Sequence, residues 1–138
     1  MSVDSFLHPR SKRYQHGDFS PEGYYRDSFD YQAARIAIES HASCAILLFE
    51  GIFLFRPELN SLWDFRIFVD ISFETSLARA LHRDGLRFGN VQTTREKYQR
   101  RYLPGQGIYF AEADPKSLAD VIVHNDDLDN VTLSLTAP

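Results

Sequence analysis

Three carboxylates follow short apolar runs. Asp4 comes after Ser2-Val3, Glu50 after Ala45–Phe49, and Asp70 after Phe65–Val69. In open parallel sheets, ligands bind beyond the carboxyl ends of the strands, so these are the first candidates for chemistry. A carboxylate beside an apolar strand end is costly to bury unless it is paired, hydrated or bound to a metal. Glu50 is the least ordinary of the three, because apolar residues flank it on both sides and Gly51 permits close approach of another backbone or a ligand. Position alone leaves open whether Glu50 acts in chemistry or caps a turn. For Asp70, just before Ser72, turn capping is the better reading.

A second group is basic. Arg79, Arg83 and Arg87 recur every four residues, and Arg100 and Arg101 follow. Guanidinium groups so spaced can clamp phosphate oxygens in bidentate fashion. The plainer alternative is a solvated helix face with Glu74 and Asp84 as ion-pair partners. A solvated face is the better reading for any single arginine, while Gly85 and Gly89, candidate hinges of a mobile flap, add some weight to the phosphate clamp. His8, His16, His41, His82 and His124 show no metal-ligand spacing, and Cys44 is the single cysteine, so zinc is not supported. No G-x-S-x-G elbow is present. Cys44 reads as a small core hydrophobe.

These residues must be held by an alternating series of elements. Residues 1–26 read as an irregular loop rich in turn residues, but their interleaved aromatics (Phe6, Tyr14, Phe19, Tyr24, Tyr25) imply that the loop packs on something. A helix is expected from Asp27-Ser28 to Ser40-His41, with Phe29, Ala33, Ile36 and Ala37 on one face. Cys44–Phe49 reads as a strand buried on both faces, and Phe65–Val69 as a second strand. Ser72 is the expected N-cap of the next helix, with Phe73, Leu77 and Ala80 or Leu81 as its stripe. Thr93-x-x-Glu96 suggests a capping box, Pro104-Gly105 a helix end, and Ile108–Ala113 a short helix stopped by Asp114-Pro115. Asp120–Val123 is the last expected strand. Apolar runs alternating with helical patterns imply an α/β fold, a parallel sheet with flanking helices.

Composition sets the outer bounds. The 138 residues are 43% hydrophobic, enough for a core, and suit at most one domain. With 15 Lys+Arg against 19 Asp+Glu the net charge is −4, which argues against nucleic acid as a partner. The longest apolar stretch falls short of the roughly 18–20 residues of a membrane span. Residues 1–20 lack an apolar signal core, and a cytoplasmic location is expected.

Taken together, several stretches resemble the uridine kinase-like family of P-loop kinases, whose members include relatives of phosphoribulokinase and pantothenate kinase. They are Val3-Asp4-Ser5-Phe6 with His8-Pro9-Arg10, Ser20–Tyr25, Asp27-Ser28-Phe29-Asp30-Tyr31, Phe49-Glu50-Gly51-Ile52-Phe53, Leu77–Asp84, and Tyr98 to Gln106. The resemblance implies a P-loop NTPase-like fold and phosphoryl transfer from ATP, with Mg²⁺, to a hydroxyl of a small nucleoside-like molecule. It makes Asp4 the general base, which also helps hold Mg²⁺ through water, and puts Glu50 near the metal. Arg83 and Arg87 fall in the lid over the phosphates. Arg79 joins them or contacts the acceptor, and Tyr14, Tyr24 and Tyr25 line the acceptor pocket. Such parts suit phosphoryl transfer, which needs positioning and charge neutralisation more than covalent chemistry.

The sequence departs from the family in two places. Tyr24 stands where uridine kinases carry an acidic nucleoside-binding residue. G-x-x-x-x-G-K-[ST] occurs nowhere in the 138 residues, whose lysines are Lys12, Lys97 and Lys116. The Pro104-Gly105-Gln106-Gly107 turn is a poor substitute because it has no Lys. The expectation is a single incomplete kinase-like domain over 1–138: an acceptor-side loop at 1–26, a lid-like helical region at 72–106 and a weakly structured tail at 126–138. Met1 is then a late start within a longer kinase, and autonomous activity is not expected. The family's missing first strand belongs between 45–49 and 65–70, where each unpaired buried backbone group costs about 1–3 kcal/mol. The alternative function is a non-catalytic remnant or regulatory protein that associates through its unpaired strands, as a homo-oligomer or with a complementing strand.

Overall fold

The computed structural model describes residues 1–41, 45–85 and 87–136. A 3₁₀ turn at Val3–Phe6 leads into α1 (Arg10–Arg13), α2 (Pro21–Asp27), α3 (Tyr31–Glu39) and α4 (Pro57–Asn60). Then follow β1 (Ile67–Asp70), α5 (Phe73–Asp84), α6 (Val91–Lys97), a π-helical turn at Tyr98–Tyr102, α7 (Leu103–Ala113), α8 (Pro115–Leu118), β2 (Val121–His124) and β3 (Thr132–Leu135). The architecture is mixed α/β and P-loop NTPase-like. β1 and β2 are parallel, in a register that pairs Ile67 with Val121 and Asp70 with His124. β3 adds antiparallel to β2.

The first 26 residues are more regular than their composition suggests. The Ser20 hydroxyl accepts from the Gly23 amide at 3.0 Å and starts α2. The helix expected from Asp27-Ser28 starts later, at Tyr31, and Asp27 instead ends α2. Phe29 sits in an antiparallel bridge with Leu7, closed by His8 N to Ser28 O (2.9 Å) and Asp30 N to Phe6 O (2.8 Å). That extended bridge interrupts the helix, and Asp30 caps α3 instead by accepting from Ala33 N at 2.9 Å.

Two further boundaries differ from expectation. Asn90, not Thr93, caps α6, since its side-chain oxygen accepts from Thr93 N at 2.8 Å. Pro104 does not end the helix. It lies in the first turn of α7, directly after the π turn, where Leu103 N reaches back to Tyr98 O. Proline offers no amide to the preceding turn, and the widened turn absorbs that loss. Ser72 caps α5 as expected, accepting from Thr75 N at 3.2 Å. The tail beyond Asp126 is not structureless, since β3 pairs along its whole length with β2. All four of its residues are exposed, which is why its sequence lacks the signature of a buried strand.

The strand expected at 44–49 does not form among the described residues 45–49. The segment is extended, and its end makes one parallel bridge, Ser2 to Glu50. Without a full ladder partner one face of the segment has no cover, with Ile46 101% and Leu48 76% exposed, while Phe49 packs against Phe6 and Trp63. Cys44 lies outside the described residues. The core lies on the other side, among Val3, Tyr25, Phe29, Phe53, Leu59 and Tyr109. Phe53 packs edge-on against Tyr24, Tyr25 and Tyr109 at 5.1, 5.2 and 5.3 Å. The aromatics of the N-terminal segment are thus anchored in the core, as their density implied.

Candidate functional site

A cavity of about 410 Å³ opens where the 3₁₀ turn, α1, α2, the end of α5 and the π turn meet. Asp4, Tyr14, Tyr24, Arg83 and Arg87 all line it. Five expected site residues from four separate stretches therefore converge on one volume. Asp4 is placed by the contact of Val3 with Glu50: Val3 N donates to Glu50 O and Glu50 N to Met1 O, both at 2.9 Å. Gly51 makes this contact possible. It has φ +149°, and a Cβ there would lie 2.2 Å from Val3 Cγ1. The close backbone approach read from the sequence at Gly51 is present. The Asp4 carboxylate is exposed and has no hydrogen-bond or ion-pair partner among the described residues.

Arg83 and Arg87 are held by one carboxylate. Arg83 donates to Asp84 Oδ2 at 2.8 and 3.1 Å, Tyr98 Oη donates to the same oxygen at 3.0 Å, and Arg87 lies 3.8 Å from Oδ1. The hydrogen bond from Arg83 is the chief cause that holds the Asp84 carboxyl below its ordinary range; burial opposes it, and the bond from Tyr98 adds to the lowering. Asp84 is thus the ion-pair partner anticipated for this helix, and Glu74 forms no ion pair among the described residues. Both arginines are largely exposed, so their charged ends can turn to a ligand. Gly85 is helical and packed, since a Cβ there would meet Leu81 O at 2.5 Å.

Three expected residues lie elsewhere. Tyr25 is a core residue, 1% exposed, beneath the Arg56 guanidinium at 4.2 Å. Arg79 donates to Asp126 O at 3.0 Å and ties α5 to the chain after β2. Glu50 faces a different space, an apolar groove of about 530 Å³ between the extended segment and β1. Asp4 and Glu50 remain one bridge apart in the backbone, and Gly51 borders both spaces.

The sequence reading missed Arg13, Tyr98, Tyr102 and Gln106 on the cavity wall, and gave Arg101 no specific role. Arg101 is buried. It donates to Arg13 O (2.7 Å), Ser20 O (3.1 Å) and Gly17 O (3.2 Å) and stacks 4.4 Å from the Tyr14 ring centroid. Its Nε has no partner among the described residues. Tyr24 and Tyr102 meet edge to face at 4.7 Å, and burial is the chief cause that raises both phenols above their ordinary range. Both therefore stay neutral on the cavity wall. A π turn is a common mark of functional segments, but nothing in Tyr98–Tyr102 beyond the nearby Pro104 signals one in advance.

A parallel strand pair with flanking helices makes this an α/β protein, with one carboxylate and several guanidiniums on the wall of one cavity. The sequence model of the phosphoribulokinase / uridine kinase family matches residues 10–125. The chain belongs to that family. No curated protein matches it at a significant level.

The family implies ATP and Mg²⁺. Mg²⁺ keeps several waters and needs only one or two protein carboxylates beside phosphate oxygens. The exposed, unpartnered carboxylate of Asp4 fits that role; Glu50 is bridged to Ser2 but faces the other space, and no cluster of three or more metal-ligating side chains occurs among the described residues. The triphosphate fits less well: Arg83 and Arg87 supply charge, but these 138 residues contain no Gly-rich loop with its Lys to cradle it.

Proposed function

We propose that the chain carries the acceptor-binding and phosphate-clamping side of an ATP-dependent phosphotransferase. One observation carries this reading: the convergence of Asp4, Tyr14, Tyr24, Arg83 and Arg87 on a single cavity. Asp4 takes the proton from the acceptor hydroxyl, for which its exposed and uncommitted carboxylate is suited. Tyr14 and Tyr24 give flat aromatic walls for a small nucleoside-like acceptor. Arg83 and Arg87 exchange Asp84 for phosphate oxygens, and the 72–106 region acts as the lid. Mg²⁺, when bound through Asp4 and Glu50, supplies charge neutralisation on the phosphates. Among the described residues no helix is long and apolar enough to cross a membrane; a cytoplasmic location remains part of the proposal.

Phosphoryl transfer from ATP to a panel of small hydroxyl compounds tests this. Asp4→Asn is expected to lower transfer by about 10²–10⁴-fold. Transfer that is indifferent to Asp4→Asn and to Arg83→Gln refutes the assignment.

A second element of the proposal concerns the open sheet. The apolar groove between the 45–50 segment and β1, with Ile46, Leu48, Ile67 and Val69 exposed beside it, favours an added strand there. That strand comes from a complementing polypeptide or a second copy of the chain. A chain that associates in this way without phosphotransferase activity would be a regulatory or binding protein, and the Asp4→Asn comparison separates the two outcomes.

A further inference from the structure

One face of the sheet is aliphatic across all three strands. Successive side chains of a strand point to opposite faces, and residues paired in register share a face. The ladders align Ile67 with Val121 and Leu135, and Val69 with Val123 and Leu133. These side chains form an array two deep and three strands wide, without a charge or a hydrogen-bonding group. Ile67 is 53%, Val69 51%, Leu133 67% and Leu135 80% exposed, and Val121 and Val123 are half-buried. Phe65, just before β1, is 63% exposed and lines a shallow recess with Leu135. The opposite face is finished. Phe68 packs there on Phe55 and Phe110, with ring centroids 6.5 and 6.0 Å away. Toward the end of β1 that face turns polar, with Lys116 Nζ donating to Asp70 Oδ2 at 2.8 Å and His124 Nε2 2.8 Å from Ser134 Oγ.

Sheets built on parallel strands are normally covered on both faces. With Phe65, the array presents roughly 700 Å² of apolar surface, above the ~300–600 Å² of the largest patch on an ordinary monomer and near the ~800 Å² per partner of a specific interface. We propose that this face is a homodimer interface, closed by the same face of a second copy of the chain. An array without charge or hydrogen-bonding groups does not select a partner by complementary charge. It is matched by an apolar surface of equal extent, and the array itself is one. A two-fold interface uses the same patch on both subunits. Two such faces pack about 10 Å apart, with their side chains interdigitated. A two-fold axis along β2 sets the leucines of β3 in each copy over the β-branched residues of β1 in the other. None of the array residues lines the cavity that holds Asp4, Arg83 and Arg87, so the dimer stands apart from the phosphotransfer reading. It also differs from a strand added beside β1, which pairs with the free edge and leaves this face bare.

Sedimentation equilibrium of the 138-residue chain tests this. A reversible monomer–dimer equilibrium is expected, with a thermal midpoint that rises with chain concentration. Leu133→Lys should raise the dissociation constant at least about a hundredfold, because the dimer would bury an unpaired ammonium group. Leu135→Lys should act in the same way. Both leucines are largely exposed in the single chain, so the monomer should keep its fold, which circular dichroism checks. Leu133→Met is apolar and of similar volume, and should leave the dimer in place. A chain that stays monomeric throughout the micromolar range overturns the proposal. So does a dimer indifferent to both lysine variants, or one lost equally in Leu133→Met. Association lost in Val69→Lys but kept in both leucine-to-lysine variants belongs to the free edge of β1, two strands away from β3, and also overturns it.

Discussion

Gly51→Ala is the sharpest test of how the fold places Asp4. Two separate penalties meet at this position. The backbone has φ +149°, a region nearly closed to residues with a Cβ, at a cost of about 1–3 kcal/mol. The new methyl would also lie 2.2 Å from Val3 Cγ1 and 2.8 Å from Val3 Cβ, and Val3 is 1% exposed and cannot swing out. Forcing a methyl into a packed site costs a further ~1–3 kcal/mol. The sum is about 2–6 kcal/mol, comparable with the stability of a small domain. Gly89→Ala supplies the control: its φ is +102°, and no atom lies within 4 Å of where its Cβ would sit, so it carries the backbone penalty alone. Urea unfolding should therefore rank Gly51→Ala as more destabilising than Gly89→Ala by about 1–3 kcal/mol. Val3→Ala removes Cγ1 and should recover part of that difference in the double variant, a coupling that additivity would not give. Equal losses at Gly51 and Gly89, with no coupling to Val3, would refute the claim that this contact fixes the turn carrying Asp4.

Further outcomes follow from single contacts. Tyr109→Phe deprives the buried Phe55 amide of its acceptor at 3.1 Å, so stability should fall by about 1–3 kcal/mol in urea unfolding. Asp84→Asn loosens Arg83 and Tyr98, with a cost at neutral pH of about 1 kcal/mol because Arg83 is well solvated. The Asp84 carboxyl is held below its ordinary range, so its contribution is present above the unfolded value of about 3.9 and is lost as pH falls through the folded one. The stability gap between wild type and Asp84→Asn should close on acidification, and a gap that widens contradicts the ion-pair assignment. Val69→Lys places a charge on the open flank of β1, where Val69 is half exposed, and should change monomer stability by less than about 0.5 kcal/mol. If a strand adds there, light scattering should show loss of association in this variant.

Much of the frame was legible because local rules sufficed. Ser72 announced α5, Asp114-Pro115 closed the α7 helix, and the apolar runs before Asp70 and His124 became the parallel pair β1 and β2. Several failures depended on a partner far along the chain, whereas the Asn90 cap and the helix that continues through Pro104 turned on local geometry. Phe29 fits a helical face, yet pairing with Leu7 pulls it into an extended bridge. Residues 45–49 are apolar enough for a buried strand, but they meet only the single bridge at Ser2. Tyr25 and Tyr24 are neighbours of like chemistry, and helical geometry sends one into the core under Arg56 and the other to the cavity. Arg101 looked like one of several lid cations. Only the contact of the π turn with residues 13–20 shows that it is buried and holds that segment.

That contact also explains why the helix bears a π turn at this place. α7 cannot rotate, because Gly105 lies against α2 so closely that a Cβ would sit 2.7 Å from Tyr24 Cδ1 and 3.0 Å from Pro21 O. With α7 fixed, the wide turn sets the azimuth of everything before it. An α-helix turns about 100° per residue, so one residue fewer in Tyr98–Tyr102 would swing α6 by that angle. Lys97 would then leave the rings of Tyr14 and Phe19, which its Nζ now approaches at 4.9 and 5.2 Å. The loop that carries Tyr14 would lose its anchor on the helix that leads back to Arg83 and Arg87. The acceptor wall and the arginine-bearing α5–α6 hairpin are therefore joined through Lys97, Arg101 and the Asp84–Tyr98 hydrogen bond. Tyr98, which bonds Asp84, and Arg101, which bonds the 13–20 segment, lie in the same π turn, so the two sets of contacts share one segment of the chain.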